Sequence, residues 1–401
     1  MSGYRDLLRT PGVGRIIAAQ LAARFPGGMV ALAVLLHVEH THHSYGAAGT
    51  VLAAVSIGQA VAGPVTSRWM GRWGMRRVLA LTTLVTSAAI AALALVPAPL
   101  PVTILFGLIA GLASPPVQSA VRTIYPKMVN ASQLTALYSL DASLQEIIWI
   151  AGPVLITFVS TQISTVVGLV MIVGFTIAGG TWFLLSPELG RVRIPRSRRS
   201  FGRVLRGPTV VLTTVLGFLL IGACAAAEAG VVASFGEGAV ESGFILAVFA
   251  VGSFVGGLAF GNLPMSPWSM ARRYAIIAVG MGLTLVSLDA WWLGGSLVIA
   301  GLGIAPVLAM SFAITSASVK FSETAEAYGW INTGQLIGAA LGSAIAGFMI
   351  DGIGPRGAMM TALGFIVLGL VVAIVCVRGF PDLRGRDASP IPDTEPVQTL
   401  P

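Results

Sequence analysis

The chain has 401 residues, 55% of them hydrophobic and only 10% charged. Soluble globular domains carry roughly 25% charged residues, so this composition and a mean hydropathy of +0.87 exclude that class and point to an integral membrane protein. The net charge of +8 does not indicate nucleic acid, because the basic residues gather between apolar runs, as membrane topology requires.

A span needs about 20 apolar residues. In chain order, twelve are predicted: 13–37, 46–66, 78–96, 101–121, 136–159 and 164–186, then 209–234, 242–262, 274–292, 296–318, 327–350 and 357–378. The first run is too long for a signal-peptide core and is expected to stay as a span. With the N-terminus inside, one side collects Arg5, Arg9, Arg15, Arg68, Arg72, Arg76, Arg77, Arg122 and Lys127. The same side takes the central Arg cluster from Arg191 to Arg206, then Arg272, Arg273, Lys320, Arg378, Arg384 and Arg386. Arg356 alone falls outside, and Arg24 lies within the first span. This asymmetry predicts that both termini are cytoplasmic.

The expected organisation is an N-terminal six-helix bundle (1–186), a basic cytoplasmic linker (187–208), a C-terminal six-helix bundle (209–378) and a disordered cytoplasmic tail (379–401). The halves repeat. At an offset of 190, Gly111 matches Gly301, Pro116 matches Pro306, Tyr138 matches Tyr328, Gln145 matches Gln335 and Gly152 matches Gly342. A slightly larger offset aligns Gly58 and Gly63 with Gly252 and Gly257. Such symmetry is what parallel six-span repeats leave in transporters.

Polar groups inside spans are costly and are functional candidates by default. In the fifth span, Tyr138, Asp141, Gln145 and Gly152 fall on one helical stripe, and Glu146 lies about 100° round from Gln145, toward a neighbouring helix. Arg24 and Glu146 are at comparable depth and are expected to pair, either as a structural ion pair or as a coupling switch. Asp141 is expected to pair with Arg122, with a substrate contact left open. Glu228, among small residues in the seventh span, is either a second protonatable site or a carboxylate reaching to the outer surface. Tyr328, Asn332 and Gln335 repeat the polar stripe in the eleventh span. Pro115, Pro116 and Pro306 predict bends. The histidines of HVEHTHH, His37 to His43, lack an evident supporting shell, so no metal is expected there. Asp351 and Arg356 are expected to pair in the last outer loop, and Cys224 and Cys376, in different halves, to stay unpaired.

Twelve spans, two similar halves and a basic central loop resemble the major facilitator superfamily over about residues 10–380. The loop GPVTSRWMGRWGMRRVL is similar to its signature, with Ser67 as the small residue, Arg72 the arginine, Gly74 the glycine, and Arg76 and Arg77 the basic pair. Gly71 stands where the family usually has an aspartate that latches the cytoplasmic side, so a latch here must be weaker or built differently. Gly152-Pro153 is similar to the core of the family's antiporter motif, although Leu155 and Ile156 replace the full glycine-rich version. The wider pattern is similar to bacterial members of the superfamily.

The resemblance implies an all-α membrane protein of twelve transmembrane helices, working by alternating access as a monomer in a bacterial inner membrane. Its partners would be a small-molecule substrate, protons and the lipid bilayer, with no cofactor and no enzyme activity. No nucleotide-binding loop of the form G-x-x-x-x-G-K-[ST] is present, so an ion gradient is the expected energy source. Proton-driven export of a small, partly apolar compound is the first expectation, and proton-coupled import of a nutrient the alternative. The substrate and proton pathway would use Arg24, Tyr138, Asp141, Gln145, Glu146, Glu228, Tyr328, Asn332 and Gln335, and gating would use Arg72, Gly74, Arg76, Arg77, Gly152 and Pro153.

Overall fold

The structure is a computed structural model that describes residues 2–192, 194–195, 200–235, 240–260, 263, 265–384 and 388–393. The first half folds as α1 (Ser2–Arg9), α2 (Val13–Arg24), α3 (Val30–His42), α4 (Tyr45–Trp73), α5 (Met75–Leu95), α6 (Leu100–Leu112), α7 (Val117–Ile124), α8 (Ala131–Gln162) and α9 (Thr165–Leu185). After the short α10 (Pro187–Arg191) come α11 (Pro208–Phe235), α12 (Val240–Phe260), α13 (Ser269–Leu283), α14 (Ala290–Ser318), α15 (Thr324–Ile353) and α16 (Pro355–Val375).

Among the described residues, eleven helical stretches are long and apolar enough to cross a membrane. The expected ninth span is α13, only 15 residues long. Its predicted end belongs elsewhere: Asp289 caps α14, its side chain accepting from the backbone N–H of Trp291 and Trp292. Two expected spans are broken near their middles. The first is interrupted by a 3-10 turn, Phe25–Gly28, between α2 and α3. The fourth breaks between α6 and α7, where Pro115 and Pro116 cannot donate to the preceding turn. Pro306, by contrast, sits inside a continuous α14.

The repeat is visible in the packing. Gly58 of α4 meets the backbone of α6 at Gly111, and Gly252 of α12 meets Gly301 of α14, the same contact one repeat later. A Cβ on Gly111 would lie 2.2 Å from the Val55 carbonyl oxygen, and one on Gly301 would lie 2.5 Å from that of Phe249. Glycine is needed at these points because the helix backbones touch. Across the halves, α4 packs on α15 and α8 packs on α12, and the repeat carries one seam onto the other.

The seams are tight at only one end, the end bearing the Arg-rich loops. From Ala136 to Ser143 every residue of α8 is buried, and so is every residue of α15 from Thr324 to Gly329. Beyond Gly334, α15 keeps only Gly338, Gly342 and Ala346 buried, a single stripe against its own half. The outer core of the first half, around Met29, Val34, Ile90 and Leu169, is likewise a cluster separate from the second half. The molecule is therefore closed at the Arg-rich end and open at the other.

Two connecting segments are docked. Glu188 of α10 is bonded to Arg15 of α2, and Arg76 of α5 donates to the Ser186 carbonyl at 3.3 Å. The tail was expected to be disordered from 379 onward, but part of it is held. The Leu383 N–H donates to the Met265 carbonyl at 3.0 Å, and Ile391 pairs as a short parallel bridge beside Lys320. Asp393 accepts from Ser322 N and Oγ at 3.2 and 2.6 Å. Unpaired backbone ahead of α15 supplies the partners that make docking favourable. Residues 394–401, and Arg193, Arg196, Arg198, Arg199 and Arg386, lie outside the described residues.

Candidate functional site

Arg24 is the last residue of α2, just before the 3-10 turn Phe25–Gly28, and its guanidinium reaches back along the helix. One helical turn earlier, Gln20 is fully buried. Arg24 Nη1 donates to Gln20 Oε1 at 2.8 Å and to Asp141 Oδ1 at 3.2 Å, and Nη2 bonds Gln145 Oε1. Asp141 also takes Arg122 Nε at 2.8 Å, Gln20 Nε2 at 3.0 Å and the Tyr125 hydroxyl at 3.2 Å. The expected Asp141–Arg122 pair is present, inside a larger network joining α2, α7 and α8. Two guanidiniums share this one carboxylate. The Arg122 group also lies 3.4 Å over the ring of Phe312 on α14, which ties the network to the opposite half.

The expected Arg24–Glu146 pair does not form. Asp141 and Gln145 lie on the face of α8 toward α2, whereas Glu146, one residue further, is turned about 100° away. It faces α12 and accepts from Ser253 Oγ at 2.9 Å. Glu228 of α11 is exposed.

The two stripes meet on the axis of the repeat. The hydroxyls of Tyr138 and Tyr328 are 2.8 Å apart. Each has a fallback acceptor in its own half, the carbonyls of Arg122 and Phe312, both at 3.3 Å. Ser139 Oγ donates to the Gly257 carbonyl at 2.6 Å, and at the symmetric seam Gly63 and Gly329 pass backbone to backbone. Asn332 is half-buried and has no hydrogen-bond partner among the described residues. Gln335 Nε2 is buried without an acceptor.

Of the gating residues, Gly74 joins α4 to α5 with φ of +90°, a conformation that disfavours any side chain with a Cβ. Arg72, Arg76 and Arg77 are exposed. Gly152 approaches the 3-10 turn of the first span at Gly28, and Pro153 follows it inside α8. The bond that crosses the halves here is one the sequence reading missed. Arg68 Nη1 donates to Glu326 Oε2 of α15 at 2.5 Å, and the Gly202 N–H of the linker donates to Oε1 of the same carboxylate at 2.8 Å. Gln20, Ser253 and Glu326 were also missed. Gln20 had a local signal, its spacing of four residues from Arg24. The others had none.

Among the described residues, no group of three or more His, Cys, Asp or Glu side chains is placed to hold a metal ion. His37 is buried against Thr165 Oγ1 and the Leu93 carbonyl, both at 3.1 Å. Asp351 and Arg356 are both exposed, and no ion pair joins them.

The Major Facilitator Superfamily profile matches residues 16–288 and, a second time, 225–399. The chain belongs to the major facilitator superfamily. Solved structures of the same fold include a bacterial homologue of the iron transporter ferroportin in an outward-facing state, with 15% identity, 90% of this chain and 98% of that one covered, and a TM-score of 0.70. The human organic anion transporter MFSD10 is similar at 14% identity, 90% and 100% coverage and a TM-score of 0.69. The proton:xylose symporter XylE is similar at 12% identity, 94% and 98% coverage and a TM-score of 0.72. No curated protein sequence matches the chain. This superfamily member is therefore a multi-pass membrane transporter by family, and its neighbours establish the fold alone.

Proposed function

We propose that this transporter exports a small, partly apolar compound in exchange for protons, by alternating access, across a bacterial inner membrane with both termini in the cytoplasm. One observation carries the proton coupling. Glu146 of the first half faces α12 of the second and accepts from the Ser253 hydroxyl, and no ion pair reaches it among the described residues. A carboxylate enclosed between the halves without a counter-charge is costly when ionised, and a proton removes that cost. Proton binding therefore favours approach of the halves, and proton loss favours their separation, which is the coupling that alternating access requires. Ser253 of α12 donates to Glu146, so this bond between the halves changes with the state of the acid.

The charge distribution supports the orientation, because the closed end carries the Arg-rich loops. Export rather than import rests on Gly152-Pro153, which packs against the break in the first span.

The test is growth of a sensitive bacterial strain on a broad panel of toxic compounds, with wild type against matched expression of Glu146→Gln and Glu228→Gln. Resistance with wild type that is lost in either variant supports proton-driven export. Heightened sensitivity with wild type reverses the direction and supports import. Resistance that survives in both variants removes the two acids from the coupling.

A further inference from the structure

The network around Asp141 is unbalanced in a way the proton reading does not use. Arg24 and Arg122 supply two positive charges and Asp141 one negative charge. Glu146 does not correct this, because it faces α12. An excess positive charge within a membrane span is costly unless something else neutralises it.

The unused hydrogen-bonding capacity has the same sign. A guanidinium has five N–H donors. Arg24 uses two at Nη1 and one at Nη2, which leaves two without a partner among the described residues. The Gln145 oxygen is taken by Arg24 and Arg122, and its amide N–H groups donate to nothing among the described residues. Gln145 lies seven residues, about two turns, further out than Tyr138 on the same face of α8, just above the tyrosine seal. Arg24 and Gln145 are partly exposed there, while Asp141, Arg122, Tyr125 and Tyr138 beneath them are fully buried.

We propose that Arg24 and Gln145 form the floor of the substrate site and bind the carboxylate of a small organic acid. A carboxylate supplies the missing negative charge. Its two oxygens match a guanidinium edge and the amide donor beside it. The apolar remainder of the acid extends into the opening. This site rests on the transporter reading, and it names the class of substrate that the reading leaves open.

The experiment is thermal unfolding of the purified full-length chain in detergent at constant ionic strength. Acetate, hexanoate and benzoate are each compared with their amides, and chloride and benzylamine are included. The carboxylates are expected to raise Tm above their amides and above chloride. That rise is expected to vanish in Arg24→Gln and to shrink at least threefold in Gln145→Glu. Gln145→Glu keeps an acceptor for both arginines and replaces the free amide donors with a negative charge, so it keeps the folded state available if Arg24→Gln fails to fold. A rise with chloride equal to that with the carboxylates assigns the site to an inorganic anion and overturns the proposal. So does a preference for benzylamine, the absence of a carboxylate rise, or a rise unchanged in both variants. None of these results touches proton coupling through Glu146 and Glu228. Loss of resistance in their Gln variants alongside any of them would sink the anion site alone.

Discussion

The hydroxyls of Tyr138 and Tyr328 meet at 2.8 Å, and the two residues are 190 positions apart, the spacing of the internal repeat. Each tyrosine is the other's repeat partner, so this bond lies on the axis relating the halves. It closes the molecule at the level where the polar network of the first half begins. Replacing either tyrosine with Phe should lower stability by about 1 kcal/mol, the usual net worth of a buried hydrogen bond. The double variant should cost less than the sum of the two single ones, because both changes remove the same bond. Thermal unfolding of the four chains checks this, and full additivity would show that the hydroxyls are not coupled.

Asp141 neutralises two arginines at once. Asp141→Asn should destabilise the chain by about 3–5 kcal/mol, because it leaves both guanidiniums without their counter-charge. Adding Arg24→Gln should recover part of the loss. Chromatographic homogeneity and Tm of the single and double variants would check the rescue, and a double variant worse than the single would contradict the shared-carboxylate arrangement.

Arg68 and Glu326 form a latch between the halves, and the linker N–H of Gly202 shares the same carboxylate. Gly71 occupies the place where the superfamily usually has an aspartate, so Arg68 and Glu326 provide the link from a different position. Arg68→Ala should favour opening at the Arg-rich end by about 1 kcal/mol, a factor of roughly five in population. A cysteine at Ser139, introduced in a chain without Cys224 and Cys376, should then react about five times faster with a water-soluble thiol reagent. An unchanged rate would mean that the seam does not depend on the latch.

Glu188 anchors the start of the linker through Arg15. Burial raises its carboxyl, but the hydrogen bond and charge of Arg15 outweigh burial and hold it below the ordinary glutamate range. A carboxyl lowered by folding stabilises the folded state above its unfolded pKa of about 4.3, and the contribution fades as pH falls through the lower folded value. Wild type should therefore be more stable than Glu188→Gln near neutral pH, and the difference should shrink below about pH 4. A difference independent of pH between 3 and 7 would remove the ion pair as its cause.

The superfamily fold was legible in the chain because bilayer thickness dictates the length of apolar runs. The repeat survived at positions with little freedom: Gly58, Gly111, Gly252 and Gly301, where backbones touch, and Tyr138 and Tyr328, which meet on the axis. The Asp141–Arg122 pair was also legible, since both lie in neighbouring helices of one half. Helical period gave Glu146 a face different from that of Gln145. It gave no information about which helix would stand opposite.

That choice belonged to the tertiary structure. Arg24 found Asp141 instead of Glu146 because α2 packs on the Asp141 face of α8, while the Glu146 face meets Ser253 of α12. Arg68 found Glu326, and the tail found the segment ahead of α15, across separations that no local spacing encodes. The sequence by itself determined the spans, their charge asymmetry and the symmetry of the halves, because these depend on residues close along the chain and on the bilayer. Which buried charges pair, and which donors are left facing the opening, depends on angles between packed helices, and only the assembled structure decided it.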